Sequence, residues 1–214
     1  MRAYYSACRS LARALLGVLT GCTVRGLEFL PRSGGMVVAA NHISFWDPPL
    51  IGSVITREIH FLAKEELFAT PVLGPLIRSV NAIPIRRGAA DLKGLTRAIE
   101  ALKLGGAVLL FPEGSRMRDG ELHPARPGVG LMAVNADVPI VPCYISGSNP
   151  TAAWLTRKER ARIDFGSPRD WRDLAGRDTD LTPGRDLYQR IGAAVMTEIA
   201  RLRGEQASAS RGAA

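Results

Sequence analysis

The sequence predicts an α/β fold: a mixed, largely buried sheet flanked by helices, with an amphipathic helix at the amino terminus. Three observations predict it. Short apolar runs alternate with longer segments of helical period along most of the chain. The runs at 35–40, 107–111 and 140–145 are continuously apolar rather than alternating, which marks strands buried on both faces. The 214 residues are 46% hydrophobic and 22% charged, enough for one domain with a full core.

The first helix falls within residues 1–22. Arg2, Ser6, Arg9, Arg13, Gly17 and Thr20 recur every three or four residues and form one narrow polar stripe. The remainder is apolar, with Tyr4, Tyr5, Leu11, Leu15, Leu16, Val18 and Leu19 building a broad face. Arginines within the segment oppose a spanning helix, and no small-residue cleavage site follows. Such a helix fits a membrane interface, facing anionic headgroups; packing on the core is the competing assignment. Residues 24–29 read as a short strand, 31–35 as a turn and 35–40 as a buried strand. A helix over 48–57, a strand over 59–63 and a helix over 65–80, broken by Pro71 and Pro75, follow. Further strands are expected at 82–85, 107–111, 140–145 and 161–165, and helices at 91–104 and 128–136. The last helix, 185–202, carries Leu187, Ile191, Val195, Ile199 and Leu202 on one face. The chain thus divides into a docking helix (1–22), a main domain (23–203) and a small, polar tail (204–214) whose composition predicts disorder.

Several function classes are excluded early. Cys8, Cys22 and Cys143 are an odd, scattered set without CxxC, which argues for free thiols rather than a disulfide framework. His42, His60 and His123 lie far apart and no HExxH occurs, so no metal site is expected. There is no phosphate-loop motif and no GxSxG elbow; Gly128-Val129-Gly130 reads as a helix start. The net charge is +8, and all but Lys64, Lys93, Lys103 and Lys158 of the 28 basic residues are arginine. A basic surface suits nucleic acid, anionic lipid or a phosphorylated substrate, and arginine forks suit phosphate oxygens. No aromatic-basic platform supports nucleic acid as the partner.

The stretch AANHISFWDPP, residues 39–49, concentrates the chemistry. His42 falls just past a predicted strand end, where α/β proteins place ligands and reactions. On a continuous helix His42 and Asp47 would point about 140° apart; on a turn they can face each other. Asp47 as a helix cap is the competing assignment. Pro48 and Pro49 both lack an N–H, leaving Leu50 N–H as the obvious capping target and the carboxylate with spare acceptor capacity. A carboxylate accepting from one imidazole nitrogen frees the other to act as a general base.

Further motifs follow: NAIPIRRG at 81–88 ends one strand with paired arginines, FPEGSR at 111–116 ends another, and VPIVP at 138–142 opens a third. The set NHxxxxD, IPIRR, FPEGSR and VPIVP, in this order, is similar to the lysophosphatidate (1-acyl-sn-glycerol-3-phosphate) acyltransferases and their glycerolipid relatives, over roughly residues 24–148. The resemblance implies that His42 is the base activating the acceptor hydroxyl and that Asp47 orients and charges its ring, with Asn41 shaping the turn. It implies that Arg86, Arg87, Glu113, Gly114, Ser115 and Arg116 bind the acceptor's glycerol phosphate, and that Pro139 belongs to the donor or acyl-chain region. Ser115 stands where threonine is common and Arg86 where an acid or lysine also occurs, which makes the phosphate site more basic. The implied reaction moves a fatty acyl group from acyl-CoA or acyl carrier protein to lysophosphatidic acid, giving phosphatidic acid, without cofactor or metal. The implied location is the cytoplasmic face of the membrane, among membrane lipids. Other acceptors (glycerol 3-phosphate, another lysolipid) and a catalytically inactive basic peripheral membrane protein are the alternatives.

Overall fold

The computed structural model describes residues 2–86, 92–149, 160–176 and 180–211. Its strands are β1 (Thr23–Arg25), β2 (Met36–Ala40), β3 (Ile59–Lys64), β4 (Ala82–Ile85), β5 (Ala107–Leu110), β6 (Ile140–Ser146) and β7 (Arg162–Phe165). They form one seven-stranded sheet in the order β1-β7-β6-β2-β5-β3-β4. Neighbours run parallel except β6 and β7, so the sheet is mixed. The parallel strands β2, β5 and β6 sit at the centre and end on one common edge.

Helices are α1 (Arg2–Thr20), α2 (Asp47–Val54), α3 (Leu73–Ser79), α4 (Leu92–Lys103), α5 (Gly128–Ala136), α6 (Trp171–Ala175) and α7 (Arg185–Arg211). β2 divides the core between them, because successive strand residues face opposite sides. Val37 and Ala39 join Leu102, Met132, Trp171, Ile191 and Val195, beneath α4 to α7. Met36, Val38 and Ala40 join Tyr5, Leu16, Leu50, Ile51 and Val54, beneath α1 and α2. Every residue of β2 is buried, as its unbroken apolar run predicts. A buried Val, Leu or Ile contributes about 1.5–3 kcal/mol, so the strand carrying the NHxxxxD motif is anchored from both faces.

Several expected boundaries change. The strand expected over 24–29 is only β1, followed by a 3-10 turn at Leu27–Phe29. α2 stops at Val54, and Arg57 instead donates to the carbonyls of Pro31, Gly34 and Gly105. The broken helix over 65–80 is a 3-10 turn at Glu65–Ala69 and then α3. Pro75 sits in the first turn of α3, where the missing N–H costs nothing. α6 was not predicted; five residues are too few to show a period, though Asp170 caps it by accepting from Arg172 N.

The expectation of a disordered tail from Gly204 is corrected, since α7 continues to Arg211. Gln206 is buried there, donating to Asp164 Oδ2 at 3.1 Å and accepting from Ser146 Oγ at 2.5 Å. The polar composition conceals a helical turn that serves the buried Asp164. Nor is α1 a free appendage. Tyr5, Leu16 and Thr20 are buried, Ile59 N donates to Tyr5 Oη, and Arg9 donates to Ile55 O. The opposite side of α1 leaves Tyr4, Leu11, Leu15, Val18 and Leu19 exposed. Membrane docking and core packing, the two assignments weighed for this helix, thus concern different faces of it.

Candidate active site

The site is built on the turn that leaves β2. Asn41 is buried and pairs with β6 as a strand residue would, donating from its side-chain amide to Ile145 O (2.9 Å) and accepting from Ile145 N (2.8 Å). That clamp fixes the place from which His42 departs. The chain then turns, with Asp47 N donating to Ser44 O, and enters α2. Trp46 precedes the helix without a side-chain cap, and Leu50 N, the capping target left by the prolines, donates to Trp46 O.

The Asp47 carboxylate therefore points backwards, into the turn. Its Oδ2 accepts from Ile43 N and Ser44 N, each at 2.8 Å, and lies 2.8 Å from His42 Nδ1. Its Oδ1 accepts from Ser148 Oγ at 2.5 Å. Asp47 is 0% exposed, so these donors replace its entire hydration. Backbone N–H groups can only donate, so a carboxylate so surrounded is the acceptor for His42, and Nδ1 is the nitrogen that carries the proton. Among the described residues Nε2 makes no hydrogen bond; the ring keeps 8% of its surface in contact with solvent.

The imidazole is held in plane as well. It stacks on Phe111 with centroids 4.0 Å apart and 18° between planes. Its backbone N–H donates to Glu113 Oε2 (3.0 Å), and its carbonyl accepts from Met117 N (2.8 Å). The other Glu113 oxygen accepts from His123 N at 3.1 Å. Burial raises the Glu113 pKa, and the two N–H bonds and nearby histidines oppose that rise. Glu113 was expected to bind the acceptor's glycerol phosphate; both of its oxygens face backbone amides, those of His42 and His123.

The remaining expected residues divide. Gly114 adopts φ +75°, and a Cβ there would lie 2.6 Å from Arg126 Cδ, so the Arg126 side chain crosses the turn where only glycine leaves room. Ser115 is half-buried beside it. Arg116 holds its guanidinium 3.3 Å from the Phe45 ring centroid, directly over the His42–Asp47 turn. The fold thus brings Arg116 to His42 across about 70 residues of chain. Arg86, at the end of edge strand β4, pairs with Glu65 at 2.5 Å and is separated from β2 by β3 and β5. Arg87 lies outside the described residues. Pro139, expected in the donor or acyl-chain region, lies away from the dyad. It precedes β6 at the opposite edge of the sheet, where its carbonyl accepts from Val37 N. What β6 contributes comes from its other end: Ile145 and Ser148.

Phe111 and Ser148, which touch the dyad directly, were not foreseen. Phe111 had a visible signal, as the apolar residue opening FPEGSR. Ser148, a lone serine after Gly147, had none. Ser44 is buried and its Oγ accepts from Trp46 N, while the dyad nitrogen Nδ1 faces Asp47. It has no geometry of a nucleophile. Among the described residues no cluster of three His, Cys, Asp or Glu side chains has the makings of a metal site.

The acyltransferase family profile matches residues 21–146, which include every part of this site except Ser148. The chain belongs to the acyltransferase family. It is 28% identical over 172 residues to a 1-acyl-sn-glycerol-3-phosphate acyltransferase of Bacillus subtilis, covering 80% of this chain and 85% of that protein. It is 34% identical over 112 residues to a lyso-ornithine lipid O-acyltransferase of Pseudomonas aeruginosa, covering 52% of this chain and 43% of that one. The crystal structure of the 1-acyl-sn-glycerophosphate acyltransferase of Thermotoga maritima superposes with a TM-score of 0.70 at 26% identity, over 93% of this chain and 79% of that one. A mixed α/β sheet with helices on both faces is therefore this acyltransferase's fold.

Proposed function

We propose that this acyltransferase moves a fatty acyl group from an acyl thioester to the free hydroxyl of 1-acylglycerol 3-phosphate, forming phosphatidic acid. The observation that carries the reading is the His42–Asp47 pair, with Nδ1 committed to the carboxylate and Nε2 unbonded at the strand edge. Nε2 takes the hydroxyl proton as the oxygen attacks the thioester carbonyl. Asp47 stabilises the imidazolium so formed. The tetrahedral intermediate collapses, the C–S bond breaks, and the imidazolium returns its proton to the departing thiolate. No covalent enzyme intermediate, cofactor or metal is required, because the thioester arrives activated.

The acceptor assignment is supported by arginine chemistry. Arg116 overhangs the turn, Arg126 crosses Gly114, and a guanidinium fork suits a phosphate monoester. Arg86 joins them only by exchanging Glu65 for the phosphate. The likeness to a lyso-ornithine lipid acyltransferase favours a second acceptor, one without phosphate. Either acyl-CoA or acyl carrier protein serves as the donor in this scheme.

The reading includes a place: the surface of the cytoplasmic leaflet. Among the described residues no helix is long and apolar enough to cross a membrane. The outer face of α1 instead presents Leu11 at 62% and Val18 at 69% exposure, with Tyr4, Leu15 and Leu19 beside them. Tyr4 Oη lies 3.3 Å from Ser79 Oγ, so α3, with Val72, Leu73 and Leu76 exposed, adjoins the same surface. A basic chain of net charge +8 is drawn to anionic lipid. The deciding experiment offers the full chain each lysolipid with each thioester in anionic vesicles and reads products by mass spectrometry. Phosphatidic acid from lysophosphatidic acid is expected; product from lyso-ornithine lipid alone overturns the acceptor, and thioester turnover retained in His42→Ala overturns the mechanism.

A further inference from the structure

We propose that Ser148 is a positioning residue of the dyad: its hydroxyl holds Asp47 from the side opposite His42 and moderates the carboxylate's pull on the imidazole. The inference rests on the reading of His42 as general base.

The geometry is specific. Ser148 is 0% exposed and lies 101 residues from Asp47 in sequence, yet its Oγ donates to Asp47 Oδ1 at 2.5 Å. The segment that delivers it is fixed at two points. Asn41 clamps Ile145 from the catalytic turn itself. Gly147, at φ +64°, packs where a Cβ would lie 2.3 Å from the Arg160 carbonyl oxygen, so the backbone before Ser148 is confined. The turn after β2 and the end of β6 are thus joined twice, once by Asn41 and once by Ser148.

The chemical consequence follows from how the carboxylate's charge is shared. Oδ2 serves two backbone N–H groups and His42, while Oδ1 serves Ser148. Removing the hydroxyl strands a buried carboxylate oxygen. The charge then concentrates on the remaining donors, His42 Nδ1–H among them, and the carboxylate is free to rotate. The first effect makes Nε2 hold its proton to higher pH; the second blurs the alignment of the ring. Other ionisable groups face the pair: Glu113 through the His42 N–H, His123 through Glu113, Arg116 over Phe45, and Cys143 on β6. The Cys143 thiol is pushed well up by burial and stays protonated. Substitution of Ser148 leaves all of these in place, so the readout is the displacement of the acid limb between variants.

The test measures phosphatidic acid formation from lysophosphatidic acid and acyl-CoA against pH, using the full chain. Ser148→Ala is expected to lower kcat about tenfold, the loss of one hydrogen bond to a charged group. Its KM values should stay within about twofold, and its acid limb should move to higher pH. Ser148→Thr, which keeps the donor, should restore the limb. Ser146→Ala is the control: that hydroxyl sits at the same strand end but donates to Gln206, so stability falls without movement of the limb. An acid limb in Ser148→Ala coincident with wild type overturns the inference while His42→Ala remains inactive. Should Ser148→Ala not fold, Ser148→Cys, a weak donor of similar shape, decides: an unmoved limb overturns it, a partly moved limb supports it. A fully active His42→Ala instead overturns the reading beneath.

Discussion

Two histidine–aspartate pairs among the described residues have almost the same length. His42 meets Asp47 at 2.8 Å through Nδ1, and His123 meets Asp119 at 2.7 Å through Nε2. Distance does not separate them; surroundings do. Asp47 is 0% exposed and takes three further donors, and the His42 ring is stacked on Phe111. The Asp119 and His123 side chains are 53% and 42% exposed, and water competes for every contact they make. A solvated pair of this kind contributes little. A buried one cannot be broken without stranding a charge. A dyad is therefore built less by its two members than by the backbone amides, aromatic ring and serine that deny them alternatives.

The largest expected effect breaks the first pair. His42→Ala should lower kcat by about a thousandfold or more, since general-base catalysis contributes about 10²–10⁴. Asp47→Asn should follow closely, because an amide NH2 turned toward Nδ1 favours the wrong tautomer and also faces Ile43 N and Ser44 N, which can only donate. Circular dichroism should show the fold intact for His42→Ala. Turnover within tenfold of wild type would remove His42 from the chemistry.

Next comes the cation that overhangs the buried pair. Arg116→Ala should raise KM for a phosphate-bearing acceptor about ten- to a hundredfold, the worth of a lost charged hydrogen bond. KM for the thioester should change little. Arg86→Ala should do less, because Arg86 begins in an exposed ion pair with Glu65. Equal increases for donor and acceptor would assign Arg116 to holding Phe45 and the turn instead.

These expectations rest unevenly on the sequence. The dyad was legible in part because Pro48 and Pro49 strip α2 of capping targets, a local fact of chain chemistry; the resemblance to the acyltransferase motifs supplied the roles. The strand order was not needed to see it. The surroundings of Glu113 and Pro139 were hidden for the opposite reason. The bonds of Glu113 to the N–H groups of His42 and His123 leave no mark on side-chain identity. That Pro139, just before β6, lies at the edge opposite the dyad is revealed only by the parallel register of β2 and β6. Ser148 was invisible because its meaning is wholly tertiary. In α1 the apolar stripe looked continuous, and nothing local distinguishes Tyr5 and Leu16, which face the core, from Leu11 and Val18, which face outward.

That division within α1 repeats the contrast between buried and exposed pairs, and it selects the variant. Deleting residues 1–22 removes core residues together with the outer face, so loss of activity would not discriminate. Val18→Glu changes only the outer face. It should weaken sedimentation with anionic vesicles about tenfold, from the apolar burial lost, with the helical content preserved. Activity on short-chain, dispersed substrates should be spared and activity on bilayer substrates reduced. Unchanged vesicle binding would place the docking surface elsewhere.

The smallest effect belongs to the exposed pair, and it is the sharpest control. The His123 hydrogen bond holds Asp119 below the usual carboxylate range. A carboxylate whose folded pKa is depressed adds stability above its unfolded pKa and loses it as pH falls through the folded value. Asp119→Asn should therefore match wild type below that window and differ above it by no more than solvent screening allows an exposed pair. The same variant, and His123→Ala, should change kcat by less than about twofold, since the group that meets Glu113 is the His123 backbone N–H and not its ring. Thermal unfolding across acidic pH measures the first expectation and vesicle turnover the second. A hundredfold loss of turnover in His123→Ala would show that the second pair, despite its exposure, enters the chemistry, and that the network around Asp47 is not what distinguishes a catalytic pair in this fold.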